Sequence, residues 1–335
     1  MVGGFLGAGK TTLILAAARE LKRRGLKSAV ILNDQGESLV DTQFARQQGF
    51  EADEVTGGCF CCQFASLMES AEALRAHSPD VIFAEPVGSC TDPSATVLYP
   101  LREMHAREYR LAPLTVCIDP GRNCEENPHL RFLYQNQLAE ADLVLYTKSD
   151  VYAAAPASEN ARYVSARTGQ GVGAWLDEIL FGQIAVGSRA LDIDYEEYAR
   201  AEAALAWLNL SATIECAPPV TPAMVLGPLI DEISAGLDVV HLKATDQCES
   251  GFLKAAVCGG GEEPAVEGAL DASPAARHEV LINLRSVGDP AAVRAVVEAA
   301  LANVRGRVEI RELACFTPAP PKRPVWDARP SASGG

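Results

Sequence analysis

Basic residues are scarce relative to acidic residues in this 335-residue sequence. Lysine and arginine number 29, against 44 aspartates and glutamates, which gives a formal net charge of −15. Binding to a nucleic acid backbone or to an anionic membrane surface requires positive charge on the protein. We therefore predict no nucleic acid partner and no membrane partner.

Long apolar runs are also lacking, and no leader sequence is predicted. The chain contains no uninterrupted apolar stretch of about 18 residues, which predicts that no helix crosses a membrane. Met1 and Val2 are followed by glycines that run directly into a phosphate-binding pattern, unlike a signal peptide. These features predict a cytoplasmic protein.

Histidine is rare, whereas cysteine is not. The five histidines are isolated from one another, and none is predicted to ligate a metal. The ten cysteines are irregularly spaced, but Cys59, Cys61 and Cys62 fall within four consecutive positions. In a cytoplasmic chain this crowding favours reduced, metal-binding thiols over a disulfide framework.

Four short apolar runs in the first half of the chain each end in polar residues. They cover residues 28–32, 81–84, 114–118 and 143–146, and helical patterns at 12–24 and 67–76 alternate with them. Strands that alternate with helices form a parallel sheet whose functional site lies at the carboxyl ends of the strands. We therefore predict an α/β fold, with a parallel-sheet P-loop NTPase domain over residues 1–187.

The sequence pattern changes after about residue 187. Strands are predicted near residues 208–214, 239–244, 252–257, 279–284 and 308–313, with helices at 223–237 and 290–304. This order predicts a smaller α+β domain over residues 188–316, for which no motif indicates a role. The tail at residues 317–335 is rich in proline and is predicted to be disordered.

A phosphate-binding loop opens the chain. Gly4, Gly9, Lys10 and Thr11 satisfy the pattern G-x-x-x-x-G-K-[ST] directly before a helix. The glycines let backbone N–H groups surround the phosphates, Lys10 reaches the β- and γ-oxygens, and the Thr11 hydroxyl is predicted to bind Mg²⁺. The predicted nucleotide contacts here are Gly7, Ala8, Gly9, Lys10, Thr11 and Thr12.

Only Met1, Val2 and Gly3 precede this loop, although a strand usually has about five residues. We expect the natural start to lie further upstream. The alternative is a very short central strand.

Two carboxylates are candidates for the chemistry of phosphate hydrolysis. Asp34 follows the first apolar run, and we predict that it organises the attacking water or the metal. Glu85, in Glu85-Pro86-Val87-Gly88, has the position of an acidic residue that ends a strand beside Mg²⁺, with Gly88 as a glycine that senses the γ-phosphate. Lys10, Asp34 and Glu85 are thus the predicted catalytic residues. The alternative for either acid is a solvated loop position.

A second motif indicates which base is bound. Thr147-Lys148-Ser149-Asp150 matches [NT]-K-x-D at the end of a predicted strand, and the Asp150 carboxylate would accept hydrogen bonds from the N1–H and 2-amino groups of guanine. Downstream, Ser165 and Ala166 lie where a loop would support the guanine O6. Together, the two motifs predict GTP rather than ATP, although Thr147 replaces the usual asparagine.

The cysteine cluster Gly57-Gly58-Cys59-Phe60-Cys61-Cys62 is the least expected feature. Thiolates at Cys59, Cys61 and Cys62 suit a transition metal, Zn²⁺ before Co²⁺ or Ni²⁺. A fourth ligand would come from Glu54, a second subunit or water. The cluster lies between Asp34 and Glu85, where nucleotide-sensitive segments are found. The alternatives are buried cysteines that pack as small apolar residues, and a redox pair made by Cys62 with Cys59 or Cys61.

These motifs resemble those of the CobW-like metallochaperone GTPases. The resemblance rests on the phosphate loop from Gly4 to Thr12, on Gly57 to Cys62, on Glu85 to Gly88 with Asp92-Pro93, and on Thr147 to Asp150. Asn33-Asp34 and Ser165 to Gly169 are also similar to the nickel-insertion GTPases of hydrogenase and urease maturation. The resemblance covers about residues 1–185.

The resemblance implies slow GTP hydrolysis with Mg²⁺ and delivery of a transition metal to a client metalloprotein or a cofactor-assembly protein. It also implies a nucleotide-dependent homodimer. The histidine-rich stretch that is common in such proteins is absent here.

Three other functions remain open from the sequence. The first is a GTPase that reactivates a cofactor-containing client, such as a corrinoid protein, without carrying metal. The second is a small-molecule kinase, which would not need Thr147 to Asp150 or the thiols. The third is a binding module without catalytic activity.

Overall fold

The computed structural model describes residues 1–33, 40–122, 124–152, 162–187, 189–259 and 263–323, except the side chains of residues 43 and 47. The chain divides into two compact units. The first comprises Met1–Gln35, Asp41–Ala201 and Pro320–Gly335, and the second comprises Gly36–Val40 and Glu202–Ala319. The sequence placed the boundary after residue 187, whereas the first unit continues to Ala201. Most of the tail that was predicted to be disordered lies outside the described residues.

The first unit is built from parallel strands. They are β1 (Val2–Gly4), β2 (Ser28–Asn33), β3 (Glu51–Val55), β4 (Val81–Glu85), β5 (Thr115–Ile118), β6 (Leu143–Tyr146) and β7 (Arg162–Tyr163). They form one sheet of order β3-β2-β4 and another of order β1-β5-β6-β7, and every pairing is parallel. The first strand has three residues. The predicted α/β fold class with a parallel sheet is confirmed.

Helices connect these strands. They are α1 (Lys10–Arg23), α2 (Val40–Gln47), α3 (Phe64–Arg75), α4 (Tyr99–Met104), α5 (Pro128–Glu140), α6 (Val172–Phe181) and α7 (Tyr195–Ala203). A π-helical turn, Ser94–Leu98, leads directly into α4. Because parallel strands need crossover connections, their carboxyl ends lie along one edge, and the functional motifs follow those ends.

The second unit is an antiparallel sheet with two helices. Its strands are β8 (Leu205–Val220), β9 (Asp238–Cys248), β10 (Gly251–Val257), β11 (Ala265–Gly268), β12 (Ala275–Val287) and β13 (Arg307–Phe316), and its helices are α8 (Pro222–Gly236) and α9 (Pro290–Ala302). The strand order is β11-β10-β9-β12-β8-β13. Alternate residues of β8, such as Leu208, Leu210 and Ile214, are buried in one core with Leu229 of α8 and Val297 of α9. The predicted smaller α+β domain is therefore confirmed.

Among the described residues, no helix combines the length and the apolar character that a membrane span requires.

Candidate nucleotide and metal site

The phosphate loop runs from the end of β1 into the start of α1. Gly4 (φ 131°), Gly7 (φ 79°) and Gly9 (φ 81°) have backbone conformations that favour glycine. A Cβ atom on Gly4 would also lie 2.4 Å from the carbonyl oxygen of Cys117 on β5, so no other residue fits there. Gly9 caps α1 without a side-chain hydrogen bond, and the first helical turn has no acidic residue. The N-terminus of α1 therefore keeps the positive end of its dipole available to an anion.

Lys10, Thr11 and Glu85 meet at this helix N-terminus. The Thr11 hydroxyl donates to Glu85 Oε1 at 3.0 Å and lies 3.4 Å from Asp41 Oδ2. Lys10 Nζ donates to the carbonyl oxygen of Phe5 at 3.2 Å and lies 4.0 Å from Glu85 Oε1. A hydroxyl and two carboxylates are the hard oxygen ligands that Mg²⁺ prefers, so these residues fit that ion. Asp34, the other predicted catalytic acid, lies outside the described residues.

Gly88 packs directly against the phosphate loop. A Cβ atom at this position would lie 2.7 Å from Leu6 Cδ2 and 3.1 Å from the Cα of Leu6. The segment after β4 therefore reaches the loop only because residue 88 has no side chain. This close approach fits the predicted role of Gly88 near the phosphates. Of the other predicted contacts, Ala8 is buried in the loop, and Thr12 is exposed on the first turn of α1.

The segment after β6 is attached to the same loop. The Thr147 hydroxyl donates to the carbonyl oxygens of Ala8 and Ile118, at 2.9 and 3.0 Å. Lys148 has a left-handed backbone (φ 55°), and its ammonium group forms an ion pair with Asp119, the buried residue that follows β5. Thr147 thus makes a bridge to the phosphate loop through its hydroxyl, even though asparagine is usual at that position.

The two motifs predicted to bind guanine lie next to each other. The hydrogen bond from Ser165 is the main cause that lowers the pKa of the Asp150 carboxyl, and Arg167 contributes to the shift. Arg167 Nε lies 2.9 Å from Asp150 Oδ2. Ser165 is fully buried, and Ala166, which follows it, is half-buried. The structure therefore presents Asp150 as a charged acceptor beside the Ser165–Ala166 loop.

The cysteine segment is a tight turn between β3 and α3. Gly57 has φ 75°, and the backbone N–H groups of Cys62 and Gln63 both donate to the carbonyl oxygen of Cys59 at 2.9 Å. Phe60 is completely buried in a core that includes Ile31, Val55 and Leu67. Phe60 therefore anchors the turn, and the cysteines on either side of it are held close together.

Cys59 and Cys61 form a disulfide in this structure. This differs from the expectation that the thiols are reduced, because the turn places the two side chains in direct contact. The Sγ atoms of Cys59, Cys61 and Cys90 all lie within 4.8 Å of one another. Cys62 is exposed, and its Sγ lies 3.8 Å from that of Cys61. A disulfide and a metal would use the same two sulfur atoms, so each excludes the other.

Cys90 belongs to a loop that α5 and α7 hold in place. Gln137 Nε2 donates to the carbonyl oxygens of Gly88 and Cys90, both at 3.0 Å, and the N–H of Thr91 donates to the Tyr198 hydroxyl at 2.9 Å. The Asp92 N–H donates to the buried carboxyl of Glu140 at 3.0 Å. These contacts fix the backbone on both sides of Cys90.

Asn33, the last residue of β2, ties the nucleotide-binding edge to the cysteine turn. Its Nδ2 donates to the carbonyl oxygens of Val55 and Gly58, at 2.9 and 2.7 Å, and its Oδ1 accepts from the N–H of Phe60 at 2.8 Å. Asn33 is 8% exposed. The residue that directly precedes Asp34 therefore holds both sides of the turn.

Four residues of this site were not predicted to have a role: Asn33, Asp41, Cys90 and Asp119. Asn33 and Asp119 had a signal in the sequence, because each ends a buried strand on the functional edge. Cys90 follows Gly88 by two residues, which brings it near the same edge. Asp41 lies in the first turn of a helix that was not predicted.

Comparison with known proteins identifies the family. The family model described as "CobW/HypB/UreG, nucleotide-binding domain" matches residues 1–170, just over half of the 335 residues. The zinc chaperone YjiA of Escherichia coli (strain K12) is 32% identical over an alignment of 158 residues, and the match covers 45% of this chain and 49% of that protein. The zinc chaperone YeiR of the same strain is 32% identical over an alignment of 159 residues, and the match covers 45% of this chain and 46% of that protein.

The chain thus spans about half the length of the curated relatives that it matches. Among solved structures, HypB from Helicobacter pylori in complex with nickel is 17% identical and covers 55% of this chain and 87% of its own. Its TM-score of 0.41 is too low for the structural likeness to support a conclusion. By the family match over its first half, this chain belongs to the CobW/HypB/UreG family, whose nucleotide-binding domain it carries.

Proposed function

We propose that this protein is a GTP-hydrolysing metallochaperone that carries Zn²⁺ on cysteine thiolates and delivers it to a client metalloprotein or cofactor-assembly protein. The observation that carries the proposal is the set of Asn33 hydrogen bonds, because they join the end of a nucleotide-binding strand to the cysteine turn. The names of the zinc chaperones YjiA and YeiR support zinc as the cargo.

The nucleotide would be held at both of its ends. The backbone from Gly7 to Thr11 and the N-terminus of α1 receive the phosphates, and Lys10 adds a positive charge there. Asp150 and the Ser165–Ala166 loop receive guanine. Thr11 and Glu85, with Asp41 near them, would hold Mg²⁺. Mg²⁺ bound there supplies positive charge that offsets the charge on the β- and γ-phosphate oxygens.

Asp34 is proposed to orient the attacking water. It is the residue next to Asn33, so a change at Asp34 with nucleotide state would be transmitted to the turn that carries Cys59 and Cys61. The metal would be bound tightly in one nucleotide state and released in the other. A nucleotide-dependent homodimer would supply a further ligand or a surface for the client.

We propose Cys59, Cys61 and Cys90 as the zinc ligands, with Cys62 as the residue that exchanges metal with solvent or a client. The first three sulfur atoms lie mutually within 4.8 Å, whereas Cys62 is exposed and approaches only Cys61. Three thiolates leave a fourth position open, which suits transfer rather than permanent storage. Zinc binding then requires the reduced form of the Cys59–Cys61 pair.

The test is a zinc titration of the reduced, full-length protein against a chromogenic chelator, with GDP or with a non-hydrolysable GTP analogue. We expect one Zn²⁺ per chain and a different affinity in the two nucleotide states. Cys61→Ser and Cys90→Ser should abolish tight binding, and Cys62→Ser should retain it. Oxidised protein should bind no zinc at this site.

Two outcomes would redirect the proposal. Nucleotide binding and GTP hydrolysis without cysteine-dependent zinc binding would favour a GTPase that remodels a cofactor-containing client. Loss of zinc binding in Cys62→Ser but not in Cys90→Ser would mean that the ligands are Cys59, Cys61 and Cys62, as the sequence predicted.

A further inference from the structure

A second group of metal-ligating side chains lies in the antiparallel sheet of the second unit. Asp246 and Cys248 are two residues apart on β9, so their side chains share one face of the sheet. His278 lies on the neighbouring strand β12, where the next residue, Glu279, pairs with Gln247. This register brings His278 beside Cys248. We infer that Asp246, Cys248 and His278 form a binding site for a divalent cation of the zinc class.

His278 is placed between two hydrogen-bond acceptors. Its Nδ1 lies 2.8 Å from Asp246 Oδ2, and its Nε2 lies 3.0 Å from the carbonyl oxygen of Ala275. An imidazolium would donate to both acceptors, whereas a neutral imidazole has one N–H group and leaves its other nitrogen available as a metal ligand. With the proton on Nε2, a metal ion bound at Nδ1 would replace the hydrogen bond to Asp246 and move the two atoms further apart than 2.8 Å. The hydrogen bond from Nε2 to a backbone carbonyl is the usual support of a metal-bound histidine.

Asp246 provides the second observation. Its side chain has no solvent exposure, and its Oδ1 has no hydrogen-bond partner among the described residues. A buried carboxylate oxygen without a partner is costly unless a cation or a donor reaches it. A metal between Asp246 and His278 would remove this cost, because carboxylate oxygens are ligands of Zn²⁺.

Cys248 completes a set of one oxygen, one nitrogen and one sulfur. The three ligand atoms lie within 4.8 Å of one another. Ligand atoms around tetrahedral zinc are about 3.5 Å apart, so small side-chain movements close the set. Cys248 is 9% exposed, and its Sγ lies 3.1 Å from Ser250 Oγ. The cation therefore enters from the Cys248 side, where water supplies the fourth ligand. This site shares no residue with the cysteine turn and does not depend on the proposed function.

The test uses the full chain in the reduced state, with Cys59, Cys61, Cys62 and Cys90 all changed to serine to remove the first site. Co²⁺ serves as the probe, because a thiolate ligand gives a sulfur-to-cobalt charge-transfer band and tetrahedral geometry gives intense visible bands. We expect one Co²⁺ per chain, displaced by Zn²⁺. In this background, Cys248→Ser should remove the charge-transfer band, and His278→Gln should weaken Co²⁺ binding at least tenfold.

Cys315→Ser, on β13 of the same sheet, is the matched control and should leave the spectrum unchanged. Circular dichroism melting in the absence of metal checks that each variant is folded. Should His278→Gln unfold, the Cys248→Ser variant decides alone, since serine differs from cysteine by one atom and is close to it in size. A background protein that binds no Co²⁺, or one whose spectrum is insensitive to Cys248→Ser, would show that the Asp246–His278 pair is structural only and would overturn the inference.

Discussion

At the scale of single residues, Asp150 is held as a charged acceptor before any base arrives. Hydrogen bonding by Ser165 and the nearby Arg167 guanidinium lower the pKa of its carboxyl. In Asp150→Asn, an amide N–H₂ would face the N–H groups of guanine. We expect GTP affinity to fall by at least roughly 100-fold, because two hydrogen bonds to a charged group contribute about 3 kcal/mol or more, and ATP affinity to stay unchanged.

Competition against a fluorescent guanine nucleotide measures this effect. Asp177→Asn is the control, since Asp177 is an exposed carboxylate on α6 that pairs with Arg24. Equal losses of GTP and ATP affinity in Asp150→Asn would mean that Asp150 supports the fold of the site rather than the choice of base.

Asp92 is a buried acid whose charge is poorly compensated. Burial raises its pKa to about 6, against an ordinary value of 3.8, although the Tyr195 hydroxyl donates to it at 2.6 Å. The folded state therefore binds the proton more tightly than the unfolded state. Stability contributed by this group is present below about pH 4 and is lost as pH rises to about 6, by roughly 3 kcal/mol at most.

The variant Asp92→Asn should remove this pH dependence, because asparagine accepts the Tyr195 hydrogen bond without a charge and tolerates the left-handed backbone at this position (φ 68°). Urea unfolding at pH 4 and pH 8 compares the two proteins. The free energy of unfolding of the variant, relative to that of the wild type, should increase from pH 4 to pH 8. Comparing the two proteins at each pH limits the contribution of Glu140, whose pKa burial also raises. An advantage that is equal at both pH values would contradict this assignment.

Residue types with a fixed chemical signature were predictable from the sequence, and residues that act through geometry were not. The spacing of Gly4, Gly9, Lys10 and Thr11 specifies a phosphate loop by itself. Asn33 acts through three contacts with a segment more than twenty positions later, and Asp41 through one contact with a helix thirty positions earlier. A sequence does not state such pairings, because they depend on which strands become neighbours.

At the scale of elements, the position of β1 beside β5 depends on one glycine. Gly4→Ala combines a left-handed backbone with a Cβ atom 2.4 Å from the Cys117 carbonyl oxygen, so β1 must separate from β5. We expect a loss of roughly 2–5 kcal/mol in the free energy of unfolding, together with loss of nucleotide binding. Chemical denaturation and nucleotide titration measure the two effects.

Gly3→Ala is a matched control one residue earlier on the same strand. A Cβ atom there makes only ordinary contacts of 3.8 Å or more, and the backbone has no positive φ. Its stability should change by less than about 1 kcal/mol. Similar losses in both variants would mean that β1 tolerates no side chain at either position, whatever the backbone conformation.

The conformation of the whole cysteine turn should depend on the side chain of Asn33. Asn33→Ala removes three buried hydrogen bonds and leaves the carbonyl oxygens of Val55 and Gly58 without this donor. We expect zinc affinity to fall about 10–100-fold, as is typical when a supporting residue of a metal site is lost. Asn136→Ala on α5, whose side chain donates to the Phe132 carbonyl oxygen of the same helix, is the control and should bind zinc normally.

Long, regular elements were predictable for a physical reason. The strands and helices of the second unit have clear apolar periodicity, so the sequence predicted β8, β9, β10, β12, β13, α8 and α9. The short strand β11 is exposed along its whole length and has no apolar pattern to detect. The helix α2 was missed in the same way, because it has few apolar residues. The cluster of Asp246, Cys248 and His278 was not predicted, because it is created by the pairing of β9 with β12.

At the scale of the whole molecule, the proposed function requires that the bound nucleotide and the bound zinc change each other's affinity within one compact unit. Residues 1–170 carry the family match, and both the nucleotide motifs and the cysteine turn fall inside that range. Asn33 connects them from β2, and the segment from Gly88 to Cys90 connects the phosphate loop to the same sulfur atoms from β4. No comparable connection is needed for the second cation site, whose ligands all belong to the other unit.

Reciprocity makes this coupling testable in both directions. If a GTP analogue raises zinc affinity by some factor, zinc must raise the affinity for that analogue by the same factor, and factors of about 5–150 are typical of coupled sites. We expect equal factors from a zinc titration at saturating analogue and from an analogue titration at saturating zinc. Asn33→Ala should reduce both factors together, whereas Asn136→Ala should reduce neither. Zinc affinity that is the same with GDP and with the GTP analogue would leave nucleotide turnover without a means to release the metal, and would reject the carrier mechanism while leaving the GTPase itself intact.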